Sequence, residues 1–417
     1  MEIALIGAGQ RGMIYAEYAY QRGIQIAAVV EPNQERREIA AQKLNVKKEC
    51  LFTSTEEFFK LGKICKAVII ASMDQDHFNQ TMTALELDYD ILLEKPISPN
   101  PVECLKIAQK AKQKNRLVVV CHVLRYTAFF RTLKEVIQEG SLGRILTIQH
   151  NENIGNYHFA HSFVRGNWRR SDLSSPLIMQ KSCHDMDILT WLADSPATRV
   201  SSFGSLSYFK EENAPKNSTT RCLDCPVTDC RYHALKAYLP ALGSWPATVV
   251  TPKQTEDDMR NALKTSPYGR CVYRCDNDVC DKQVTVLEFE NDITVTFHLS
   301  AFTNHICRTI KVMCENGEIR GGDGLRELEL TKFTSNGVDQ YEQQVIHTSL
   351  SSSGHGGGDS KLMEEFLTLL KTGETQSITS IERSIESHIM AYAAELSRTT
   401  KKTIEIKELK ENLLKEE

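Results

Sequence analysis

The stretch that decides the fold is IALIGAGQRGM, residues 3–13, in which an apolar strand runs directly into the pattern G-x-G-x-x-G and then into a helix. Gly7 permits a tight turn, Gly9 lets the backbone come close to a pyrophosphate, and Gly12 allows the helix to pack closely on the strand. The helix dipole would stabilise the pyrophosphate of a dinucleotide at this point. The predicted contacts of this loop are Gly7, Gly9, Gln10, Arg11 and Gly12.

Strand and helix patterns alternate through the first 120 residues. Short apolar runs rich in Val and Ile are typical of buried parallel strands, and they are IALIG, IQIAAVVE, KAVIIAS, ILLEKP and RLVVVCHV. Amphipathic stretches lie between them, and in one of these Asn100 can cap a helix whose first turn holds Pro101. Units of this length join parallel strands by right-handed crossovers. We therefore expect an α/β Rossmann domain with a doubly wound parallel sheet over residues 1–123.

The second part of the chain has a different pattern of apolar and polar residues. After a helix predicted in FFRTLKEVIQEG, longer runs such as ITVTFHLSAF alternate apolar and polar residues. This alternation is typical of an antiparallel sheet with one covered face. Residues 124–417 are thus predicted to form a second α/β domain with a large open, mostly antiparallel sheet. We interpret the polar, cysteine-rich stretch at about 210–283 as an insertion in that domain.

Composition argues against several classes of protein. The 417 residues carry 50 Lys and Arg against 54 Asp and Glu, a formal net charge of −4, whereas general nucleic-acid binders usually show a basic excess. No apolar run approaches the roughly 20 residues of a membrane helix. Met1 leads straight into the first strand, so we expect no export signal and reduced cysteines in the cytoplasm. The expected partner is a small molecule, with no nucleic acid and no membrane.

The choice between NAD and NADP depends on Glu31, nineteen residues after Gly12 at the end of the second predicted strand. A carboxylate there accepts hydrogen bonds from the ribose hydroxyls and repels a 2′-phosphate, which favours NAD. Arg36 and Arg37 follow in the next helix and can attract that phosphate instead. We predict NAD, with NADP as the alternative.

Five motifs together resemble one known family. GAGQRG (7–12), ASMDQDHF (71–78), EKP (94–96), HVLRYTAFF (122–130) and HDMD (184–187) occur in the order and spacing of the Gfo/Idh/MocA oxidoreductases, the relatives of glucose–fructose oxidoreductase and inositol dehydrogenase. The resemblance covers nearly the whole chain. It implies a Rossmann domain and an α/β domain whose open sheet forms homodimer or homotetramer contacts. The further cofactor contacts that it implies are Ser72, His77, Glu94 and Lys95, and its substrate contacts include Arg125 and Tyr126.

The same resemblance implies two catalytic residues. Lys95, at the carboxyl end of a strand, would hold the reacting hydroxyl beside the nicotinamide and stabilise the developing alkoxide. His184 matches the histidine of the family pattern D-x-x-x-H-x-x-D, and a histidine suits proton removal from an alcohol. Asp187 matches the last acid, with a structural role. Gln180 replaces the first aspartate and cannot take a proton, so we expect Lys181 to replace part of its role.

Two further segments supply candidate substrate contacts. The first, GNYHFAHSFVRGNWRR (155–170), is dense in donors and aromatic rings, which suits a polyhydroxylated sugar with an acid group, although a polar interface loop would look similar. Its candidates are His158, His161, Arg165, Trp168 and Arg169, to which Gln180 and Lys181 are added. The second, SSSGHGGGDSKLMEEF (351–366), places His355 near substrate by resemblance, with Asp359 as a helix cap. A flexible loop is the alternative there.

The insertion contains clustered cysteines in the spacing C-x2-C-x4-C. Thiolates at this spacing in a reduced compartment suit a tetrahedral structural zinc ion. The predicted ligands are Cys222, Cys225, Cys230 and Cys271, with Cys275 as a substitute. A zinc ion would stabilise an insertion that otherwise lacks a core. An iron–sulfur cluster and unligated buried thiols are the alternatives.

The sequence therefore predicts an NAD-dependent enzyme that transfers a hydride between a sugar hydroxyl and the cofactor. One alternative is a glycosidase that keeps NAD bound and oxidises the sugar only transiently, without net NADH. A second alternative is a non-catalytic sensor that binds NAD.

Overall fold

The protein, described by a computed structural model, has its strands in two sheets. The structure describes residues 1–335, 338, 340–349 and 354–415. The first sheet has the order β3-β2-β1-β4-β5-β6, and all of its strands are parallel. Its strands are β1 (Glu2–Ile6), β2 (Gln25–Val30), β3 (Leu51–Phe52), β4 (Ala67–Ile70), β5 (Asp90–Leu93) and β6 (Val118–Val120). This order confirms the predicted doubly wound α/β fold.

Helices cover both faces of the first sheet. Alternate residues of β1 enter two different apolar clusters, with Ile3 and Leu5 on one face and Ala4 and Ile6 on the other, which explains why the strand is apolar throughout. The predicted cap of α5 is confirmed, since the Asn100 side chain accepts the N–H of Val102. The helices here are α1 (Gln10–Gln21), α2 (Gln34–Leu44), α3 (Thr55–Phe59), α4 (His77–Glu86) and α5 (Pro101–Lys114).

The second sheet has the order β14-β13-β12-β11-β7-β10-β9-β8-β15. Neighbouring strands are antiparallel except β7 and β10, which are parallel, so the predicted mostly antiparallel sheet is confirmed. Its strands are β7 (Ile145–Asn153), β8 (Ala197–Ser205), β9 (Lys282–Phe289), β10 (Thr294–Ser300), β11 (Cys307–Cys314), β12 (Gly317–Gly322), β13 (Glu327–Phe333), β14 (Tyr341–His347) and β15 (Ile404–Glu405). Buried and exposed residues alternate along β10, so one face is covered.

Ten helices among the described residues follow the first domain. They are α6 (Ala128–Gln138), α7 (Asn156–Phe159), α8 (Leu177–Gln180), α9 (Cys183–Ala193), α10 (Ala234–Tyr238), α11 (Ala247–Val250), α12 (Glu256–Thr265), α13 (Gly358–Thr372), α14 (Ile381–Thr400) and α15 (Ile406–Leu413). Helix α13 returns to the first domain, where Leu362 and Phe366 join the same apolar cluster as Leu5. None of the described helices has the length and apolar composition needed to cross a bilayer.

The insertion has an apolar core, contrary to the expectation that it lacks one. Tyr238, Ala247, Met259 and Leu263 are completely buried in a cluster of their own. Short helices α10 to α12 carry these residues, which is why long periodic runs are absent from the sequence.

Candidate active site

The Gly-rich loop after β1 forms the predicted cradle. Gly7 has a φ of +89°, and a Cβ there would lie 2.5 Å from the carbonyl oxygen of Ala71, so a side chain would collide. A Cβ on Gly12 would lie 2.0 Å from the carbonyl oxygen of Gly7. A Cβ on Gly9, in contrast, would meet no described atom within 4 Å. The space beside Gly9, at the N-terminus of α1, therefore fits the phosphates of a dinucleotide.

Glu31, which follows β2, is fixed beside this loop. Its carboxylate accepts the backbone N–H groups of Ala8 and Asn33, each at 2.9 Å. This is where a carboxylate was predicted to bind the ribose. Arg37 donates to the carbonyl oxygen of Glu31 at 2.5 Å, so its guanidinium is turned toward the backbone, whereas Arg36 is exposed.

Ser72 and His77 lie beyond β4, at the same edge of the sheet. The Ser72 hydroxyl donates to Oε1 of Gln80 at 2.7 Å. Nδ1 of the buried His77 lies 2.8 Å from the carbonyl oxygen of Pro96, and it must carry the proton because a carbonyl only accepts. His77 thus holds the turn after Lys95, and direct contact of Ser72 and His77 with a cofactor stays a prediction.

The Arg11 side chain enters a buried network of charges rather than the phosphate cradle. Its guanidinium pairs with Glu94 at 2.8 Å and with Asp359 at 2.6 Å. The Tyr15 hydroxyl and the backbone N–H of Lys95 also donate to the Glu94 carboxylate. Burial alone would raise the pKa of Glu94, but the charges of Arg11 and Lys95 and the hydrogen bonds from Arg11 and Tyr15 together hold that pKa below its ordinary value. Arg11 and Glu94 thus brace the loop against the strand end that carries Lys95.

Lys95 follows β5 and reaches the second domain. Its Nζ donates to the carbonyl oxygen of Gln180 at 2.9 Å, and within the described ranges no carboxylate pairs with this ammonium group. The Gln180 side-chain amide donates to the carbonyl oxygen of Ser175, while its buried Oε1 has no partner in the part described. Position 180, which is an aspartate in the family pattern, is therefore a glutamine whose backbone carbonyl oxygen accepts a hydrogen bond from Lys95.

His184 lies in the first turn of α9 and is 5% exposed. The rings of His122 and His355 lie 5.7 Å and 6.2 Å from its ring, centroid to centroid. Burial lowers the pKa of His184 well below its ordinary value, and the charge of Lys95 lowers it further. Its Nδ1 is buried without a partner among the described residues. The imidazole is therefore neutral and able to accept a proton.

A chain of buried charges supports this region. Lys181 Nζ lies 3.3 Å from Glu152, and Arg308 pairs with Glu152 at 2.5 Å and with Asp185 at 2.8 Å. His150 Nε2 lies 2.8 Å from the same Asp185 carboxylate. Burial would raise the pKa of Asp185, but Arg308 and His150 outweigh it and lower the pKa to about 2. Burial lowers the pKa of Lys181, although Glu152 opposes this shift.

Several predicted substrate residues are engaged inside the protein instead. Arg125 makes two bonds of 2.7 Å to Asp187, which agrees with a structural role for that acid. The Tyr126 hydroxyl donates to Glu365 and lies 3.0 Å from Thr379. Neither side chain is directed toward Lys95 or His184 by these contacts.

The arginines of segment 155–170 bind the insertion. Arg165, 1% exposed, donates to the carbonyl oxygens of Arg270 and Tyr232, each at 2.7 Å. Arg169 makes two bonds to Asp276, at 2.7 and 3.0 Å, and the 39% exposed Trp168 lies on Phe163. These contacts support the interface-loop alternative for Arg165 and Arg169, whereas the Trp168 contact lies within the segment itself.

The two histidines of segment 155–170, His158 and His161, differ in the groups that surround them. His161 lies 3.0 Å from the Tyr238 hydroxyl and stacks on Tyr268 at 4.7 Å. Burial lowers the pKa of His158 well below its ordinary value, and the charges of Lys181 and Lys95 contribute. His158 is thus the residue of the segment that lies within electrostatic reach of both ammonium groups.

The second candidate substrate segment, 351–366, contributes His355 to the site. His355 Nδ1 lies 3.1 Å from the Asp359 carboxylate. The predicted cap is wrong, because α13 begins at Gly358 with Gly357 as its N-cap, and the Asp359 carboxylate binds Arg11. Burial would raise the pKa of Asp359, but hydrogen bonds from His355 and Arg11 hold it well below the ordinary value. Residues 351–353 of the predicted loop lie outside the described residues.

The predicted zinc ligands line one small cavity of about 10 Å³. They are Cys222, Cys225, Cys230 and Cys271. Within the described ranges, however, no three candidate ligands are grouped closely enough to hold a metal ion. The Arg165 guanidinium lies at this cavity and donates to Cys222 Sγ at 3.4 Å. The structure therefore does not support the zinc prediction.

Sequence reasoning missed Glu152, Arg308 and Trp245. Glu152 and Arg308 lie on neighbouring strands β7 and β11, where they are paired directly in register. For Arg308, a charged residue in the otherwise apolar alternation of β11 was the available signal. Trp245 lies in the insertion, 5.0 Å from the His158 ring, and no local pattern indicated it.

The fold and this site define an NAD-binding oxidoreductase. The family described as "Oxidoreductase family, NAD-binding Rossmann fold" matches residues 1–122, and its "C-terminal alpha/beta domain" matches residues 134–406. The chain belongs to this family, the Gfo/Idh/MocA oxidoreductases, which confirms the resemblance.

Similar proteins extend the comparison. The protein YteT of Bacillus subtilis is 22% identical over 330 residues, which cover 75% of this chain and 74% of YteT. Inositol 2-dehydrogenase of Corynebacterium glutamicum is 26% identical over 207 residues, 48% of this chain and 56% of that enzyme, so the chain spans about half of that relative. Levoglucosan dehydrogenase, solved with NADH and levoglucosan, has a TM-score of 0.70 at 17% identity, with 97% of this chain and 99% of the other covered. This last likeness shows the fold.

Proposed function

We propose that the protein oxidises a hydroxyl group of a sugar or sugar derivative with NAD, or catalyses the reverse reaction. The observation that carries the proposal is a hydrogen bond between Lys95 and the second domain. The Lys95 ammonium group donates to the backbone carbonyl oxygen of Gln180. Gln180 precedes the neutral, buried His184 by four residues. Relatives named inositol 2-dehydrogenase support a polyhydroxylated substrate.

The side chains act in a simple order. Lys95 donates a hydrogen bond to the reacting oxygen and stabilises the negative charge that develops there. His184 accepts the hydroxyl proton. Bound at the Gly-rich loop beside Glu31, NAD would supply the acceptor for the hydride of the carbon that carries this hydroxyl. Arg11, Glu94 and Asp359 keep the Gly-rich loop and the Lys95 backbone in place.

Among cofactors, NAD is proposed over NADP. The Glu31 carboxylate beside Ala8 would face the ribose and repel a 2′-phosphate, and Arg37 is turned toward backbone carbonyls. Titration of the purified protein with each cofactor tests this choice. Tighter binding of NADP would overturn it.

Sugar specificity and reaction type are tested together. Purified protein is incubated with NAD and a panel of free sugars and glycosides, while reduced nicotinamide and released aglycone are both followed. Net NADH from a free sugar is expected. Lys95→Ala should abolish it, whereas NAD binding without turnover by the wild type and the variant alike would favour the sensor.

A glycosidase that oxidises its substrate only transiently is the second candidate. Gln180 favours it, because the site lacks the carboxylate of the family pattern. Release of aglycone without net NADH would select this function.

A homodimer or homotetramer and a cytoplasmic location are also proposed. Phe203, 73% exposed, pairs with Val284, 42% exposed, on neighbouring strands of the open sheet, and such side chains suit contact with a second copy. Light scattering of the purified protein tests the assembly.

Structural zinc is retained only as a separate proposal for the insertion. The cysteine spacing and the shared cavity support it, but the thiols would have to come closer together. Elemental analysis of the purified protein, with Cys314→Ser as a control outside the cluster, tests it.

A further inference from the structure

His184 is almost closed off from solvent, although the proposed reaction gives it a proton at every turnover. Oxidation of a hydroxyl group to a carbonyl releases one proton in addition to the hydride, and His184 is the group that accepts this proton. The residue is 5% exposed, and its Nδ1 has no partner among the described residues. A second turnover requires that the proton leave, so a neighbouring group has to carry it to solvent.

Two imidazole rings lie next to His184, and they differ in their access to solvent. The His122 ring, 5.7 Å away between centroids, is completely buried, and its Nε2 lies 3.4 Å from the Ser387 hydroxyl. The His355 ring lies 6.2 Å away, and the His355 side chain is 39% exposed. One water molecule can connect two rings at such a separation. Of these two neighbours, therefore, His355 is the one that joins His184 to solvent.

Asp359 fixes the orientation of the His355 ring. His355 Nδ1 lies 3.1 Å from one carboxylate oxygen of Asp359 and 3.3 Å from the other. An ionised carboxylate only accepts, so Nδ1 carries the proton, and Nε2 is the nitrogen that is left to accept another. Arg11 holds the Asp359 carboxylate in turn, with two hydrogen bonds of 2.6 and 3.0 Å. The pair thus has the arrangement in which an acid orients a histidine that transfers protons.

The charged groups around His355 act on its protonation in opposite directions. The Arg11 guanidinium lies 3.2 Å from Nδ1. Burial lowers the pKa of His355, the hydrogen bond with Asp359 opposes this shift, and the charges of Arg11 and Lys181 add to it. Because its pKa lies below the ordinary value, the His355 imidazole is neutral at pH 7.5. It can therefore accept a proton from His184 and give that proton up to solvent.

We propose that His355, oriented by Asp359, carries the proton of His184 to solvent. This inference rests on the proposed function. The hydroxyl proton passes to His184, then to Nε2 of His355, and finally to a water molecule or buffer base outside the protein, while the two electrons leave the substrate with the hydride. In the reverse reaction the same two imidazoles supply the proton. His355 acts through His184 and does not have to touch the substrate.

His355→Gln tests this relay, because glutamine keeps a polar side chain but does not transfer protons. In dilute buffer we expect kcat to fall by about 10²-fold, the lower end of the effect of a positioned proton acceptor, while KM stays unchanged. Added imidazole should restore kcat in proportion to its concentration, since a small base from solvent then takes the proton. His347→Gln, at a side chain 73% exposed, is the matched control. Imidazole should change neither its kcat nor that of the wild type.

The outcomes separate the relay from the proposed function. Normal kcat of His355→Gln in dilute buffer would overturn the relay and leave the proposed function intact. A loss of activity that imidazole does not restore, or a raised KM, would also overturn the relay, because His355 would then contact the substrate or support the fold. Absence of turnover by the wild type with every sugar and glycoside would overturn the proposed function, and the relay with it.

Nitrogen NMR of the imidazole rings tests the orientation of His355 without any turnover. The spectrum of His355→Gln identifies the signals of this ring by their loss. We expect the wild type to carry the proton on Nδ1, beside Asp359, and to leave Nε2 unprotonated at pH 7.5. A proton on Nε2 instead would overturn the relay, since that nitrogen could not accept a proton from His184.

Discussion

The Lys95 ammonium group donates to the backbone carbonyl oxygen of Gln180 at 2.9 Å. This hydrogen bond joins the residue after β5, in the first domain, to the end of α8, in the second domain. Its partner is a neutral carbonyl, so among the described residues no carboxylate within ion-pair distance competes with a substrate oxygen for this ammonium group. The family pattern has an aspartate at position 180, where a carboxylate would compete for that charge.

Replacement of Lys95 by methionine tests the role of this charge. The variant keeps the length of the side chain but removes the donor, so we expect kcat to fall by about 10²- to 10³-fold, as for loss of one donor to a developing oxyanion. NAD affinity should stay close to that of the wild type. Lys114→Met, at an exposed ion pair with Glu86, should retain full activity. A Lys95→Met enzyme with normal kcat would contradict the assigned role.

Replacement of His184 by asparagine tests the general base. We expect kcat to fall by about 10²- to 10⁴-fold, whereas His347→Asn, at an exposed site on β14, should have no effect. Because burial lowers the pKa of His184, wild-type kcat/KM should remain level as the pH falls to 6.5 and decline only at lower pH. A decline centred at or above the ordinary histidine value of about 6.5 would show that the imidazole is not neutral in the free enzyme.

The sequence predicted features that depend on neighbours along the chain. The roles of Gly7, Gly9 and Gly12 follow from a strand, a turn and a helix in immediate succession, and the cap at Asn100 depends on two residues. The alternation in β10 likewise predicted that one face of its sheet is covered. Such features require no knowledge of distant partners.

Features that join distant residues could not be predicted. Arg11 was assigned to the cofactor, yet its guanidinium pairs with Asp359, 348 positions later. Whether this guanidinium binds a phosphate or two carboxylates depends on α13, which packs against the first domain and supplies Asp359. The cysteine spacing in the insertion likewise indicated zinc, whereas Arg165 at the cavity and the core around Tyr238 appear only in three dimensions.

Buried and exposed ion pairs should differ sharply in their effect on stability. Arg308 has a side chain 8% exposed and pairs with Glu152 and Asp185, both completely buried, so Arg308→Met leaves two carboxylates without their main partner. We expect the free energy of unfolding to fall by about 3–5 kcal/mol. Arg144, 78% exposed beside Glu315, provides the control, and Arg144→Met should change stability by about 0–1 kcal/mol. Urea unfolding measures both, and equal effects would contradict this account.

Stability should also fall as the pH drops below about 6.5, the value for an unfolded histidine. His388 is completely buried, its Nε2 accepts the N–H of Ile97 at 2.9 Å, and its Nδ1 lies 3.1 Å from the Ser384 carbonyl oxygen. Burial lowers the pKa of His388 to about 3. Between these two values the unfolded chain binds a proton that the folded chain does not, so acid favours unfolding, by at most about 1.4 kcal/mol per pH unit.

The variant His388→Gln isolates this contribution, because glutamine can accept one hydrogen bond and donate another but does not titrate. At pH 7.5 the variant should be less stable than the wild type, since its packing is altered. On acidification to pH 5 the difference should narrow, because only the wild type loses the stability associated with a neutral imidazole at position 388. Urea unfolding at each half unit of pH gives the two slopes. Parallel slopes would mean that His388 is already protonated in the folded protein or that its neutral form contributes nothing to acid sensitivity.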